Sequence, residues 1–225
     1  MNLATCLHKF FDQYLPKIKG VSSNTIQAYR QTFSLFLPFA AQTLERDIKS
    51  LELEHLTPQL ILDFLDHLES GRKNCPKTRG NRLATFKSLA RMIRFLYPEH
   101  SDLTERILSI PQKRFSKKLI GFLTHEEVMQ VFSSIDLKKS GGFRDYTIIH
   151  LLYDSGARAQ EIASLHLAYF DASQGTLAIL GKGNRYRQIE LWPKTLQLLS
   201  MYVCQYRPKP KPMHQDILFV NQRRQ

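Results

Sequence analysis

Residues 144–165 of the chain have the sequence RDYTIIHLLYDSGARAQEIASL. The first part, from Arg144 to Tyr153, is rich in isoleucine and leucine and predicts a largely buried helix. Gly156 marks a turn, and a second helix is expected to begin near Arg158. Arg158 would then lie just inside a helix, where its guanidinium fork and the helix dipole can together hold a phosphate. Taken alone, an arginine in such a position is more often an ordinary surface residue.

A β-hairpin is expected shortly downstream of this stretch. Thr176–Leu180 and Arg187–Leu191 alternate or run apolar on either side of the sequence Gly-Lys-Gly-Asn at 181–184. Lys182 would lie at the tip of the hairpin between two glycines. Its ammonium group could there reach the backbone of a bound nucleic acid. No GxxxxGK[ST] frame surrounds this loop, so it is not a P-loop.

Helical patterns account for most of the remaining sequence, and we expect a mainly α fold with a small β-hairpin or sheet. Residues 3–97 contain four predicted helices. The third begins with Thr57 as its N-cap and Pro58 in its first turn. Its apolar face consists of Leu60, Ile61, Phe64, Leu65 and Leu68. Further helices are expected after the capping residue Thr124 and over residues 194–206.

Two domains fit a chain of 225 residues of which 43% are apolar. They are expected over residues 1–98 and 122–225. Between them, residues 99–121 form an expected interdomain linker, because Pro98 immediately before this stretch and Pro111 within it interrupt the helical pattern. The basic residues at its end could lie along a DNA backbone; they are Lys113, Arg114, Lys117 and Lys118.

The charge balance favours a polyanionic partner. Lysine and arginine total 32 against 20 aspartates and glutamates, a formal net charge of +12. Composition alone leaves nucleic-acid binding and mere solubility equally open.

Cysteine usage and hydropathy indicate a soluble protein of a reducing cytoplasm. The three cysteines are odd in number and widely spaced, which predicts neither a disulfide framework nor a zinc cluster. No run approaches the roughly 20 apolar residues that a membrane span needs. The scattered histidines indicate no metal site, and no cofactor is expected.

The fourth predicted helix, about residues 78–97, has an uneven charge distribution. From Arg72 to Arg94 there are eight basic residues and no acidic one. Lys87, Arg91 and Arg94 are expected on the side opposite the apolar face. A solvated helix face usually alternates acids with bases, so phosphate contact is the favoured interpretation of these three.

Taken together and in order, these motifs resemble the tyrosine recombinase (phage integrase, Xer-like) family. The resemblance is carried by the stretch 144–165 and by Gly-Lys-Gly-Asn-Arg-Tyr-Arg at 181–187. Asn-Thr-Ile-Gln-Ala-Tyr at 24–29 and Thr-Arg-Gly-Asn-Arg-Leu-Ala at 78–84 look like the family's N-terminal core-binding domain. Asp-Ile-Leu-Phe-Val-Asn at 216–221 is similar to the segment before the family's later catalytic box.

The resemblance implies a SAM-like four-helix core-binding domain followed by an α+β catalytic domain. It also implies metal-free phosphoryl transfer, in which a tyrosine attacks a DNA phosphodiester. Arg158 matches the first catalytic arginine, which clamps the phosphate oxygens, and Lys182 matches the lysine that protonates the departing 5′-oxygen. Glu161 and Asp145 match supporting positions. The residues expected to contact duplex DNA are Thr25, Arg30, Arg79, Arg82, Lys87, Arg91, Arg94, Lys117, Arg185 and Arg187.

The sequence departs from the family pattern downstream of residue 221. The family's His-x-x-Arg box and its nucleophilic tyrosine lie beyond this point, and none of the nine tyrosines does. We therefore expect an incomplete catalytic domain in a truncated chain that binds DNA without cleaving it. The apolar faces around Ile148, Leu151 and Leu165 would then be exposed.

Two rival functions stay open at this point. The chain could be a non-catalytic regulator that occupies recombination sites, alone, as a homo-oligomer on DNA or with a full-length recombinase. It could also be an RNA-binding or ribosome-associated basic protein, which the hairpin lysine and the glycine-turn arginine disfavour.

Overall fold

Two hydrophobic cores organise the chain, one in each of the units Met1–Leu119 and Ile120–Gln225. The computed structural model describes residues 1–115, 121–139, 141–181, 183, 185–221 and 223. Within these residues the protein is mainly helical, with one small antiparallel sheet, and this confirms the predicted fold class. Among the described helices, none is long and apolar enough to span a membrane.

The first unit is helical. It contains α1 (Leu3–Lys9), α2 (Ser23–Thr43), α3 (Pro58–Arg72), α4 (Pro76–Leu96) and α5 (Ser101–Leu108). The chain continues from α1 as a wider, π-helical segment, Phe10–Ile18. Short 3-10 turns cover Ile48–Ser50, Leu53–His55 and Pro98–His100.

Helix α3 begins where the sequence predicted. Thr57 is the N-cap, and its hydroxyl accepts a hydrogen bond from the backbone N–H of Leu60 at 3.2 Å. Pro58 occupies the first turn, where its missing N–H costs nothing. All five residues of the predicted apolar face are buried.

Aromatic rings form the centre of the first core. The ring of Phe36 packs edge-to-face against Phe86 at 4.9 Å and against Phe64 at 5.2 Å between centroids. Phe33 meets Phe86 in the same manner at 5.4 Å. Such T-shaped pairs fix α2, α3 and α4 against one another beyond what apolar burial alone provides.

The linker predicted over residues 99–121 is wrong for its first half. Residues 101–108 form α5, and Ile107 and Ile110 are buried in the first core. The segment after the helix also stays with this unit, because Lys113 donates to both carboxylate oxygens of Glu69, at 3.0 and 3.1 Å. The prolines that suggested a linker instead lie just before and just after one short helix.

The second unit combines helices with the sheet. Its helices are α6 (His125–Ser134), α7 (Gly142–Ser155), α8 (Ala159–Ala163) and α9 (Pro193–Met201), and α9 continues as a π-helical segment, Tyr202–Tyr206. Thr124 caps α6 through a reciprocal pair of hydrogen bonds with Glu127, as expected. Its strands are β1 (Phe170–Asp171), β2 (Thr176–Gly181) and β3 (Arg185–Glu190), arranged in that order.

The predicted hairpin is the β2–β3 pair. Its register runs from Thr176 opposite Glu190 to Gly181 opposite Arg185. Strand β1, which pairs with the start of β2, was not predicted, because two residues are too short to show an alternation.

The core of the second unit is covered, contrary to the expectation of exposed apolar faces. Leu151 and Leu165 are fully buried, and only Ile148 is partly exposed. The cover is the segment 216–220, which runs beside residues 165–167. The backbone N–H of Leu167 donates to Asp216 O at 2.7 Å, and that of Leu218 donates to Leu165 O at 2.8 Å.

Candidate nucleic-acid interface

Arg158 lies at the junction between α7 and α8. Gly156 ends α7 in the left-handed conformation, with φ of 58°, which a glycine adopts without strain. Arg158 itself is extended and is the N-cap of α8, one residue outside the helix in which the sequence placed it. Because α8 has only five residues, its dipole contributes little to anion binding here.

The buried carboxylate of Glu161 holds Arg158 in place. Its Oε1 accepts from Arg158 Nη1 at 2.8 Å, and its Oε2 accepts from the backbone N–H of Arg158 at 3.0 Å. A third bond reaches Oε2 from Arg187 Nη2 at 2.8 Å, and only 8% of the Glu161 side chain is exposed. These donors, first the Arg187 side chain and then the Arg158 backbone and side chain, lower the pKa of Glu161 to about 2. Glu161 therefore holds both the backbone and the side chain of Arg158.

The Arg158 guanidinium is anchored but open. Although its Nη1 is committed to Glu161, 72% of the side chain is exposed. Within the described residues no other acceptor engages this guanidinium. A guanidinium held in place by one carboxylate and otherwise facing solvent can bind an oxyanion through its remaining donors.

The hairpin contributes Arg187 to this cluster. Arg187 is half-buried on the face of β3 that also carries Ile189, whereas Arg185 is exposed. Lys182, expected at the hairpin tip, lies outside the described residues, as does Lys117.

Asp145 has a different role from Glu161. It accepts from Arg144 Nε and Nη2 at 2.8 and 2.7 Å, and Arg144 Nη1 donates to the carbonyl of Val220 at 3.2 Å. Asp145 thus orients a side chain that holds the segment 216–220, and it is separate from the Arg158 cluster.

Two further residues hold this segment and were missed from sequence. Arg207 donates to the carbonyls of Gln215, Ile217 and Leu218 at 2.7–3.1 Å. The buried Tyr202 hydroxyl accepts from the Val220 N–H at 3.1 Å. Nothing in the sequence marks these contacts, since they join side chains to backbone across a proline-rich spacer.

A groove of about 490 Å³ runs between α2 and α4 in the first unit. Most residues that line it carry a hydroxyl, amide or guanidinium group, among them Thr25 and Arg82 of the predicted contacts, although apolar atoms make up most of its exposed surface. Asn24, Gln31 and Asn81 also line it and were not predicted as contacts. One sequence signal could have found these three residues: they lie away from the apolar stripes of α2 and α4.

Arg82 is partly withdrawn from water in this groove. Its Nε is buried, and no hydrogen-bond partner occupies it within the described structure. Burial, followed by the nearby Arg72, lowers the pKa of Arg82. A buried guanidinium nitrogen without a partner is costly, so this position favours an acceptor from a ligand.

The cations of α4 are placed as the sequence predicted. Arg91 and Arg94 are exposed and Lys87 is half-buried, and burial followed by the proximity of Arg91 lowers the pKa of Lys87. In the part of the chain that the structure describes, no carboxylate pairs with any of the three.

Arg79 is not available for DNA, which corrects its predicted role. Only 8% of its side chain is exposed, and it pairs with Asp66 at 2.8 Å and Glu69 at 3.0 Å. The acidic side of α3 lies against α4 at this position and takes up the charge. Arg79 therefore fastens α4 to α3.

Arg30 is also engaged inside the first unit. It pairs with Asp12 at 3.2 Å, and its guanidinium lies 4.6 Å from the centre of the Phe11 ring. It lines a depression formed with α1 rather than the α2–α4 groove.

Among the described residues, no cluster of histidine, cysteine or acidic side chains could hold a metal ion.

Comparisons with known proteins agree for both units. Residues 121–225 match the model of the Phage integrase family, and residues 9–99 match that of the Phage integrase, N-terminal SAM-like domain. Tyrosine recombinase XerD of Staphylococcus haemolyticus is 30% identical over 228 residues, covering 96% of this chain and 71% of XerD. A relative from Sinorhizobium fredii, named integrase/recombinase y4rC, is 33% identical over 223 residues. That match covers 99% of this chain and 66% of y4rC, just under two thirds of its length.

Solved structures share the fold at low sequence identity. A lambda integrase dimer bound to a COC′ core site superposes with a TM-score of 0.68 at 15% identity, covering 100% of this chain and 75% of that one. The XerH recombinase bound to palindromic difH substrate gives 0.62 at 21% identity, covering 99% and 66%. The fold is that of an integrase-type site-specific recombinase. The chain belongs to the phage integrase family of tyrosine recombinases.

Proposed function

We propose that this chain binds duplex DNA in site-specific recombination and that Arg158 is its phosphate clamp. One observation carries the proposal: Glu161 anchors Arg158 from a buried position while 72% of the arginine side chain faces solvent. Holding a guanidinium in place before the ligand arrives reduces the entropy lost on binding. The planar fork then matches the oxygens of a phosphodiester.

The first unit supports the same proposal independently. The groove between α2 and α4 offers amides and hydroxyls, which suit base edges as well as phosphates. Further along α4, Lys87, Arg91 and Arg94 add three cations without acidic partners within the described chain. Such cations bind the DNA backbone and release its counterions.

The relatives support DNA as a partner of this chain, and they also support an oligomeric assembly. XerD is named a tyrosine recombinase, the lambda integrase of known structure is bound to a COC′ core site, and XerH is bound to a palindromic difH substrate. Lambda integrase is described as a dimer on a core site and as a tetramer on a Holliday junction. By analogy, several copies of this chain, or a full-length recombinase beside it, would share one DNA site.

Binding rather than strand cleavage is the activity we propose for these 225 residues. Tyr202 is buried, its hydroxyl is occupied by the Val220 N–H, and burial raises its pKa. Tyr206 stacks on Phe143 at 4.0 Å. Neither is suited to attack a phosphate next to Arg158. The role expected of Lys182, protonation of the leaving oxygen, rests only on its match to the family motif.

The test is fluorescence anisotropy with a labelled duplex, titrated at several salt concentrations between about 50 and 200 mM. We expect tight binding at low salt and a steep loss of affinity as salt rises. A structured RNA of equal charge is the competitor, and preference for the RNA would contradict the proposal. A suicide substrate that traps phosphotyrosyl links should give no covalent adduct; an adduct would refute the assignment of binding without cleavage.

A regulator that occupies recombination sites is the second candidate. Arg158 is anchored for phosphate binding, whereas Tyr202 and Tyr206 are both engaged elsewhere in the second unit, and this combination favours occupancy without cleavage. Adding the chain to a recombination reaction driven by an intact relative should lower or raise its rate. An unchanged rate at saturating occupancy would remove this candidate while leaving DNA binding intact.

A further inference from the structure

Arg187 was expected to contact DNA directly, but its surroundings indicate another task. We propose that Arg187 is a positioning residue, which keeps Arg158 oriented for phosphate binding by clamping the carboxylate of Glu161. The inference deepens the proposed function and rests on the role of Arg158 as the phosphate clamp.

The position of Arg187 in the hairpin directs its side chain inward. Along β3, Arg187 and Ile189 are half-buried, whereas Tyr186, Gln188 and Glu190 are exposed. The residue opposite Arg187 on β2 is Ile179, which is fully buried. The guanidinium accordingly ends at Glu161 Oε2, 2.8 Å away.

The division of Glu161 between its donors explains why Arg187 matters. Oε2 accepts from Arg187 and from the backbone N–H of Arg158, which leaves Oε1 to the Arg158 side chain. The terminal torsion of a glutamate is soft, so a carboxylate held at one oxygen alone can rotate. With both oxygens held, Oε1 stays aimed at Arg158 Nη1. Without Arg187 the backbone bond alone would oppose that rotation.

Gly181 at the end of β2 keeps space for this clamp. A Cβ atom there would lie 3.4 Å from Arg187 Nη1 and 3.5 Å from Glu161 Oε1. Those distances are ordinary contacts for a methyl group. Any longer side chain would enter the space between the hairpin and α8 that the ion pair occupies.

Charge also argues against a direct phosphate contact by Arg187. Its Nη2 is already bound to a carboxylate that is 8% exposed. To reach a phosphate, Arg187 would have to break its ion pair with Glu161. The poorly hydrated carboxylate of Glu161 would then lose one of its two guanidinium partners. Arg158 meets no such obstacle, because most of its side chain is exposed.

A double-mutant cycle on duplex affinity separates the two roles. We compare Arg158→Gln, Arg187→Gln and the double variant, with Arg185→Gln as the matched control on the same strand. Loss of Arg158 should weaken binding on the order of 10-fold. Loss of Arg187 should weaken it by a similar or smaller factor, and the double variant should equal Arg158→Gln alone. Arg185→Gln, which removes an exposed cation, should instead multiply with Arg158→Gln. A multiplicative loss for Arg187 as well would overturn the proposal.

Ordering of the Arg158 side chain gives a readout that does not depend on DNA. In NMR spectra of the arginine Nε–Hε groups, the Arg158 signal should show greater mobility in Arg187→Gln and no change in Arg185→Gln. An Arg158 that stays equally ordered without Arg187 contradicts the proposal, whether or not the melting temperature falls. If the wild-type chain binds no duplex, the DNA-binding proposal fails, and this NMR comparison still decides the positioning role.

Folding of the variant is covered by a conservative substitution. If Arg187→Gln does not fold, Arg187→Lys keeps the positive charge beside Glu161 but loses the planar fork. It should fold, with Arg158 ordered to an intermediate degree. Wild-type mobility of Arg158 in Arg187→Gln or Arg187→Lys, whichever is folded, counts against the clamp.

Discussion

Arg79 of α4 donates through Nη2 to Oδ1 of Asp66 in α3 at 2.8 Å, and only 8% of its side chain is exposed. The same guanidinium lies 3.0 Å from Glu69. This pairing joins two helices of the first unit, and it removes from the DNA-facing set an arginine that the sequence had placed there.

Replacing Arg79 should therefore affect folding rather than DNA binding. Arg79→Met keeps most of the apolar stem and removes the charge. We expect the free energy of unfolding to fall by about 1–3 kcal/mol, because Asp66 and Glu69 lose their shared partner. The salt dependence of duplex binding should stay unchanged. Chemical denaturation and salt titrations of anisotropy measure the two effects.

The control for this variant is Arg91→Met on the exposed side of the same helix. There the stability change should stay within about 0.5 kcal/mol, while the slope of log affinity against log salt should fall by about one. A flatter slope for Arg79→Met than for Arg91→Met would return Arg79 to the interface.

The three cations of α4 should act together on affinity. Replacing Lys87, Arg91 and Arg94 by alanine should weaken binding to all duplex sequences alike. The salt slope should fall by about 0.9 for each phosphate that is no longer neutralised. The matched control removes the same charge elsewhere in this unit, at the exposed Lys17, Arg46 and Lys49. Equal losses of affinity from the two triple variants would mean that net charge, and not this face of α4, drives binding.

Local patterns predicted much of the fold, because they depend on neighbours in sequence. Thr57 and Pro58 fixed the start of α3, and alternation around 181–184 located the hairpin. Helix α5 was missed because basic residues and prolines dominate its surroundings, whereas its burial depends on Ile107 and Ile110 meeting a distant core.

The candidate site was predictable in its residue types but not in its pairings. The motif identified Arg158 and Glu161, which are three residues apart and contact each other. It did not reveal that Arg187, 26 residues beyond Glu161, completes the clamp, or that Arg79 is neutralised by Asp66 from 13 residues away. Both pairings depend on how helices and strands pack, which no local pattern encodes.

Glu161 should make the second unit sensitive to acid. Its pKa of about 2 in the folded chain lies below the ordinary value of 4.5. The folded state therefore gains stability from this carboxylate above about pH 5, and the gain is lost as the pH falls toward 2. The difference in stability between wild type and Glu161→Gln should be largest near neutral pH and should shrink on acidification. Thermal melts from pH 7 to about pH 2.5 measure it.

A pH-independent gap between wild type and Glu161→Gln would show that Glu161 does not carry the depressed pKa in solution.

Gly142 should tolerate no side chain. It is buried in the first turn of α7, and a Cβ atom there would overlap the backbone carbonyl of Asp136, with Leu137 Cα only 3.3 Å away. A backbone obstacle cannot rotate aside as a side chain can, so the loop before α7 would have to move. We expect Gly142→Ala to cost about 3 kcal/mol or more in the free energy of unfolding.

Gly71→Ala in α3 provides the opposite case for the same substitution. Its added methyl would meet only a side-chain atom of His67, 3.8 Å away, within an exposed helical turn. There the higher helix propensity of alanine should stabilise the first unit by about 0.5–1 kcal/mol. Denaturant titrations of both variants test the pair. If Gly142→Ala melts like the wild type, the loop before α7 can yield, and the first turn of α7 does not depend on its close contact with Asp136.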